Sequence, residues 1–272
     1  MKAQFKRIKK FLADLKPRPS VNPEARPLAS YINPKDLLPK DSLVRLGTPY
    51  GGWIIPERSQ LNPESICYLA GAGEDISFDC ALVNRFNCSV RIMDPTPRAV
   101  DHFQRLKESV LAGRKFPVNN SQEEFYELLP PQLEKVTFIP AGLSNRDEQL
   151  KFFFPRNPEH VSCSTENLQD TEKYFSAQCY RLSTIMSLQG DRRLDLLKMD
   201  IEGAEYSVIR DLIDSNLIPS LLLIEFDEAH TPKDSGAPKR IETHVQMLLN
   251  AGMRCVSVDG NNMTLINTKA KS

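Results

Sequence analysis

Seven short runs of β-type residues alternate with helical stretches between residues 66 and 266, and no other feature limits the fold as much. The runs are Ile66–Ala70, Ser89–Met93, Val136–Ile139, Leu194–Met199, Leu221–Phe226, Arg254–Val258 and Met263–Ile266. Helical patterning covers 75–86, 97–112, 121–129, 203–215 and 239–250. This alternation predicts an α/β domain with a mostly parallel central sheet and helices on both faces. The run Leu221-Leu-Leu-Ile-Glu-Phe226 is almost wholly apolar, as a strand buried on both faces must be. Segment 150–185 breaks the alternation. Lys151–Phe154 and Ala177–Leu182 read there as an inserted strand pair with a polar loop between them, a candidate wall for an acceptor pocket.

Lys+Arg and Asp+Glu both number 35, so the chain carries no net charge, which argues against a dedicated nucleic-acid binder. The balance is uneven. Residues 1–45 hold eleven basic and four acidic residues. Phe5, Ile8, Leu12 and Leu15 fall on one helical face, followed by prolines 17, 19, 23, 27, 34 and 39. The expected organisation is a basic amphipathic helix over 1–16, an extended linker over 17–45, and one domain over 46–272. The helix either docks on protein or meets a membrane surface or anionic partner. The longest apolar runs are too short to span a bilayer. Six scattered cysteines without a C-x-x-C pair suit a reducing compartment, so the expected location is cytoplasmic, with peripheral membrane contact through the arm as an alternative.

Chemistry concentrates first in Cys67-Tyr-Leu-Ala-Gly71-Ala-Gly73-Glu74-Asp75, a strand running into a glycine turn and a helix. Gly71 and Gly73 allow close approach of a ligand, or simply a tight turn. Asp94 ends the next strand, 21 residues after Gly73, where an acidic side chain can accept ribose hydroxyls. It could equally cap the helix that follows. Glu74 and Asp75 stand where a dinucleotide would place its phosphates, and Ile76 replaces the third glycine of the dinucleotide fingerprint. S-adenosylmethionine has no phosphate and carries a sulfonium and an ammonium, which carboxylates favour.

A second site closes the strand Leu194–Met199, in Asp200-Ile-Glu202-Gly203-Ala-Glu205. Ligands of open α/β sheets lie at the carboxyl ends of strands. Asp200 and Glu202 could therefore hold an ammonium, a hydroxyl or a metal, and Glu202 and Glu205 could instead serve the helix start. No metal is assigned.

Gly71–Asp79, Asp94-Pro-Thr-Pro97, Ala141-Gly-Leu-Ser144 and Asp195-Leu-Leu-Lys-Met-Asp-Ile-Glu-Gly-Ala-Glu205 together resemble the FkbM-type methyltransferases. The resemblance spans about residues 50–268. It implies a Rossmann-like class I methyltransferase fold, S-adenosylmethionine as donor, and O-methylation of a hydroxyl on a sugar or natural-product-like small molecule. It also implies that Gly71 and Gly73 cradle the methionine part, Asp94 the ribose, and Gly142 to Ser144 the adenine side. Asp200 and Glu202 would face the transferred methyl. Ala70 stands where many relatives carry an acidic residue, and Glu74 is the expected substitute.

Methyl transfer to a hydroxyl benefits from a base. His230, in Glu225-Phe-Asp227-Glu-Ala-His230, is the first candidate, with Asp200 competing and Glu225 able to position it. His160 lies in the inserted loop, and His102 and His244 are assigned no role. Tyr50-Gly-Gly-Trp53 suggests a flexible cover, or an apolar patch packing the arm on the domain. Two other readings compete: an NAD-dependent oxidoreductase, and a non-catalytic interaction module on a methyltransferase-like fold.

Overall fold

The computed structural model describes residues 27–154, 172–201 and 203–269. The helix expected over 1–16, His160 and Glu202 lie outside the described residues. The first strands are β1 (Leu43–Leu46) and β2 (Trp53–Pro56), a hairpin, then β3 (Ile66–Ala70), β4 (Ser89–Met93) and β5 (Val136–Ile139). Next come β6 (Gly142–Leu143), β7 (Glu148–Phe153) and β8 (Tyr174–Tyr180), then β9 (Leu196–Met199), β10 (Leu221–Glu225), β11 (Met253–Asp259) and β12 (Asn262–Asn267). The helices are α1 (Ser77–Phe86), α2 (Pro97–Leu111), the single turn α3 (Pro130–Leu133), α4 (Leu182–Gln189), α5 (Glu205–Asp214) and α6 (Ala237–Asn250).

Seven strands form the central sheet in the order β11-β12-β10-β9-β3-β4-β5. β10, β9, β3, β4 and β5 run parallel, and β12 enters antiparallel between β10 and β11. The order runs outward from β3 in one direction and from β9 in the other. Their shared boundary is a switch point, where helices leave to opposite faces and a crevice opens. Alternate side chains divide the core into two layers. Tyr68, Leu197, Met199, Leu222 and Ile224 pack under α4, α5, α6 and residues 28–32. Cys67, Leu69, Leu196 and Leu223 pack under α1, α2 and the β1–β2 hairpin.

All seven expected strands are present. The inserted pair is also found: β7 and β8 run antiparallel, and with β6 they make a separate three-stranded sheet. Three expectations need correction. Residues 121–129 are not a helix. The Ser121 hydroxyl accepts the Glu123 and Glu124 amides, closing a local turn. Phe116 and Val118, then Tyr126 and Leu128, are buried with period two. Residues 182–189 do form a helix, burying Leu182, Ile185 and Met186 on one face and ending at Gly190 with φ +71°.

The third correction concerns the linker. From residue 27 onward the chain is docked through short turns at Leu28–Tyr31, Pro34–Asp36 and Lys40–Ser42. Leu28 is 1% exposed, Tyr31 and Ile32 are buried, and the Leu38 amide donates to the Val256 carbonyl at 2.9 Å. Prolines here set rigid turns on a packed surface, so the domain begins well before residue 46. Leu28→Ala therefore lowers unfolding free energy by about 2–5 kcal/mol, the usual cost of emptying a fully buried leucine site. Urea denaturation checks this. A loss near zero would mean the segment adds nothing to the fold.

Candidate active site

The carboxyl ends of β3, β4, β9 and β10 open onto a cavity of about 370 Å³, within the range of small-molecule sites. The first wall is the glycine turn. Gly71 has φ +82°, and a Cβ there would stand 1.7 Å from the Asp200 carbonyl oxygen. Only glycine lets the ends of β3 and β9 come this close, where the Asp200 amide donates to the Ala70 carbonyl at 3.1 Å.

Asp94, 5% exposed, organises this edge. Its Oδ2 accepts the Ala72 and Gly73 amides, each at 2.9 Å, and its Oδ1 accepts the Thr96 amide at 2.8 Å and the Thr96 hydroxyl at 2.6 Å. A carboxylate offers about four acceptor sites, so all are engaged. The N-cap of α2 is Thr96, not Asp94. A ribose hydroxyl would reach Asp94 only by displacing one of these bonds.

The acidic pair after the turn is also committed. Glu74 forms an ion pair with Arg98, so it does not stand as a bare carboxylate in place of the acidic residue absent at Ala70. Asp75 Oδ2 accepts the Thr48 hydroxyl and the Asn119 amide, both at 2.7 Å, and Oδ1 accepts the Ser77 amide at 2.9 Å. Burial pushes the Asp75 carboxyl up, but hydrogen bonds from Ser77, Thr48 and Asn119 outweigh it and hold it below the usual carboxylate range. The Ile76 amide donates to the Tyr126 hydroxyl at 3.2 Å. The amides of Ala72, Gly73, Ile76 and Ser77 are thus all taken by side chains of the chain itself. A phosphate group at this turn and helix start would find these four donors already engaged.

The turn of the β1–β2 hairpin closes one side of the cavity with Tyr50, Gly51 and Trp53. It is tied down rather than loose. The Thr48 amide donates to Ser77 Oγ at 2.9 Å, Arg45 Nη1 to the Gly52 carbonyl at 2.8 Å, and Thr48 bonds Asp75. Trp53 is 4% exposed. Across the cavity, β6 and β7 contribute Gly142, Leu143, Leu150 and Phe152. Gly142 is small for the sheet's sake, since a Cβ there would meet Cys179 Sγ at 2.6 Å. Ser144 is buried, donates its amide to the Tyr180 carbonyl, and is not among the cavity-lining residues.

The far end gathers hydrogen-bond acceptors. Asp200, Glu225, Asp227 and Asn262 all line it. Asn262 pairs with Glu225 across β12 and β10, and its Oδ1 is buried with no hydrogen-bond partner among the described residues. Glu205, 1% exposed, accepts the Gly203 amide at 2.9 Å. Burial pushes its carboxyl up against the Gly203 and Asp227 hydrogen bonds. His230 is exposed after the Asp227–Ala229 turn and is not among the residues lining the cavity, so the structure does not bring it to the reacting end. Among the described residues no group of three or more His, Cys, Asp or Glu is arranged to hold a metal ion.

Sequence reasoning missed Lys198, the centre of the site's electrostatics. It lies on β9, is 6% exposed and lines the cavity. Its ammonium donates to the Gly71 carbonyl, lies 3.5 Å from Asp200 Oδ2, and stands 5.6 Å from the centroid of the Trp53 ring. The signal was a lysine inside an otherwise apolar strand, a residue type rarely buried without a partner. Beneath it, Asp79 of α1 is 4% exposed with Oδ1 unpaired. Burial pushes its carboxyl up to about 6, with Lys198 pulling the other way.

Asp79 has a pH consequence. The folded chain holds this proton more tightly than the unfolded one, so stability falls as pH rises from about 4 to about 6 and levels off above. The two-unit shift corresponds to about 2–3 kcal/mol. Asp79→Asn lacks that loss. Its stability relative to wild type should therefore climb by about this amount between pH 4 and 6.5, read by urea denaturation at each pH. A flat difference would show that Asp79 ionises at no cost.

Residues 58–255 match the family described as the methyltransferase FkbM domain. Comparison with curated protein sequences finds no match. Among solved structures, the chain is similar to a precorrin-6y C5,15-methyltransferase from Geobacter metallireducens GS-15, at 12% identity over 76% of this chain and 80% of that one, TM-score 0.35. It is similar to a Methanococcus jannaschii fibrillarin pre-rRNA processing protein, at 13% identity over 75% and 67%, TM-score 0.38. It is also similar to M. jannaschii TYW2 in complex with AdoMet, at 11% identity over 85% and 86%, TM-score 0.31. A family match over most of the chain, on a sheet that reverses at the glycine turn, settles the class: this chain belongs to the FkbM methyltransferase family and has the Rossmann-like class I methyltransferase fold.

Proposed function

We propose that this methyltransferase transfers the methyl group of S-adenosylmethionine to a hydroxyl of a polar small molecule, such as a sugar or a natural-product-like compound. One observation carries the reading. The cavity joins a glycine turn braced by Asp94 to an end lined by Asp200, Glu225, Asp227 and Asn262. The donor end suits a nucleoside without phosphate, because the amides of Ala72, Gly73, Ile76 and Ser77 are occupied. The same occupancy counts against a nicotinamide dinucleotide. The apolar wall of Leu143, Leu150 and Phe152 suits the face of an adenine. The acceptor end offers oxygens that accept hydrogen bonds, which suits hydroxyl-bearing molecules. A purely structural module would not need this cluster beside an open cavity.

Bound at this site, S-adenosylmethionine supplies an electrophilic methyl group on sulfur. The chain's task is alignment, worth roughly 7–11 kcal/mol of barrier when the reacting atoms are held in line. Asp200 is the proposed base. It lines the cavity at the end of β9, beside the glycine turn, and takes the hydroxyl proton as the new C–O bond forms and the C–S bond breaks. Lys198, 3.5 Å away, holds its carboxylate in place. Glu225 and Asp227 orient the acceptor.

Isothermal titration calorimetry with S-adenosylhomocysteine and NAD tests the donor, with binding expected for the first alone. Transfer of labelled methyl to a panel of polyhydroxylated acceptors tests the reaction class. Asp200→Asn should lower kcat by about 10²–10⁴-fold while S-adenosylhomocysteine affinity stays within a few-fold. Methyl recovered on nitrogen or carbon, or full turnover in Asp200→Asn, would refute the reading of the acceptor chemistry.

A further inference from the structure

We infer that Lys198 is the recognition group for the carboxylate of the donor's methionine moiety, an inference that rests on the donor proposed above. Among the described residues lining the cavity, Lys198 is the one cationic side chain, set among Glu74, Asp75, Asp94, Asp200, Glu225 and Asp227. S-adenosylmethionine carries two cationic groups and one carboxylate. The cations have many partners here, whereas the carboxylate meets repulsion everywhere except at Lys198.

Position supports the match. β4, which leads directly into Asp94, and β9, which carries Lys198, flank β3. The ammonium reaches over to the end of β3 and bonds the Gly71 carbonyl, while the Ala72 amide of the same peptide unit bonds Asp94, so the two groups flank one turn as the ribose and amino-acid ends of the donor would. The donor capacity is also there. An ammonium has three protons, and among the described residues Lys198 makes one hydrogen bond, to the Gly71 carbonyl. Asp200 at 3.5 Å and the Trp53 ring are looser contacts. Because Lys198 is already fixed and largely desolvated, a carboxylate arriving there finds a prepaid partner. The Gly71 carbonyl is covered by that same ammonium, so the methionine ammonium is left to the acidic side chains.

The test compares S-adenosylhomocysteine with its carboxylate-free counterpart, S-(5′-adenosyl)-3-thiopropylamine, by calorimetry. Wild type should bind the carboxylate form at least tenfold more tightly. Lys198→Met and Lys198→Gln should bring that ratio to within about twofold, whatever they do to overall affinity. A merely structural lysine would weaken both ligands alike and leave the ratio unchanged, which overturns the inference. Nuclear magnetic resonance on wild-type protein carrying ¹⁵N at lysine Nζ needs no variant. Lys198 is the one lysine buried among the described residues, and its ammonium signal should shift with S-adenosylhomocysteine and not with the amine. An equal response to both overturns the assignment. If wild type binds both ligands equally, the donor reading stands and this inference alone falls. If it binds neither, both fall.

Discussion

The Asp94 carboxylate is the interaction on which the site depends. It gathers two amides from the turn after β3, and an amide and a hydroxyl from the start of α2. That locks two adjacent strand ends into one edge. It also spends the backbone donors that make glycine turns attractive to phosphate. The same fold binds pyrophosphate when those amides are free and aimed outward. Here they point at a built-in anion, and Tyr126 and Asp75 take the next two. On the donor proposed here, discrimination against phosphate would follow from these hydrogen bonds. Repulsion by Glu74 and Asp75 plays a smaller part, since one is neutralised by Arg98 and the other turned toward Thr48 and Asn119.

Behind that edge is a chain of charges, buried at Asp79 and Lys198 and half-exposed at Asp200. Asp79, Lys198 and Asp200 lie in sequence from the α1 side of the sheet to the cavity, with Trp53 closing over the ammonium. Buried ionic groups are seldom the cheapest way to stabilise a core, because desolvation offsets most of their attraction. Asp79 illustrates the cost, with an unpaired oxygen and a carboxyl pushed up to about 6. Such groups persist where the charge has work to do at a ligand. The apolar alternative, a leucine at 198, would pack against Leu196 and Trp53 but would leave the Gly71 carbonyl unpartnered.

The strands were legible because each is a short β-type run between turn residues, and burial on both faces leaves no room for ambiguity in Leu221–Glu225. The errors have physical causes too. Residues 121–129 have helix-like composition, but Ser121 bonds the local amides and the tertiary structure buries alternate side chains. Helix α4 was readable from Leu182, Ile185, Met186 and Gly190, and was lost by carrying the preceding strand two residues too far. Proline density made residues 27–42 look like linker, while Leu28, Tyr31 and Ile32 were an apolar triplet waiting for a core. Of the candidate site residues, Gly71, Gly73, Glu74, Asp94, Gly142, Asp200 and Glu225 come together around one cavity, whereas His230 and Ser144 do not line it. What a sequence cannot display is which carboxylate is already spoken for. That depends on Thr48, Arg98 and Thr96, whose contacts are set by the turns and helix starts around them.

The two ends of the cavity also differ in what builds them. The donor end is made by loops pinned to the central sheet: the glycine turn, the tied hairpin and the Asp94 brace. At the other end Glu225 and Asn262 stand in register across β10 and β12, while Asp200 and Asp227 follow directly after β9 and β10. Side chains on paired strands hold their separation better than side chains on loops. On the function proposed here, such a strand-held pair would suit a molecule whose hydroxyl must arrive at one angle to the methyl group. The β6–β8 sheet meets the cavity through Leu143, Leu150 and Phe152, the apolar wall proposed to face the adenine, and Leu143 also packs into the core beneath the central sheet. On the function proposed here, the core strands set the direction of attack and the inserted sheet completes the donor end, so changes in either would be felt by different halves of the same ligand pair.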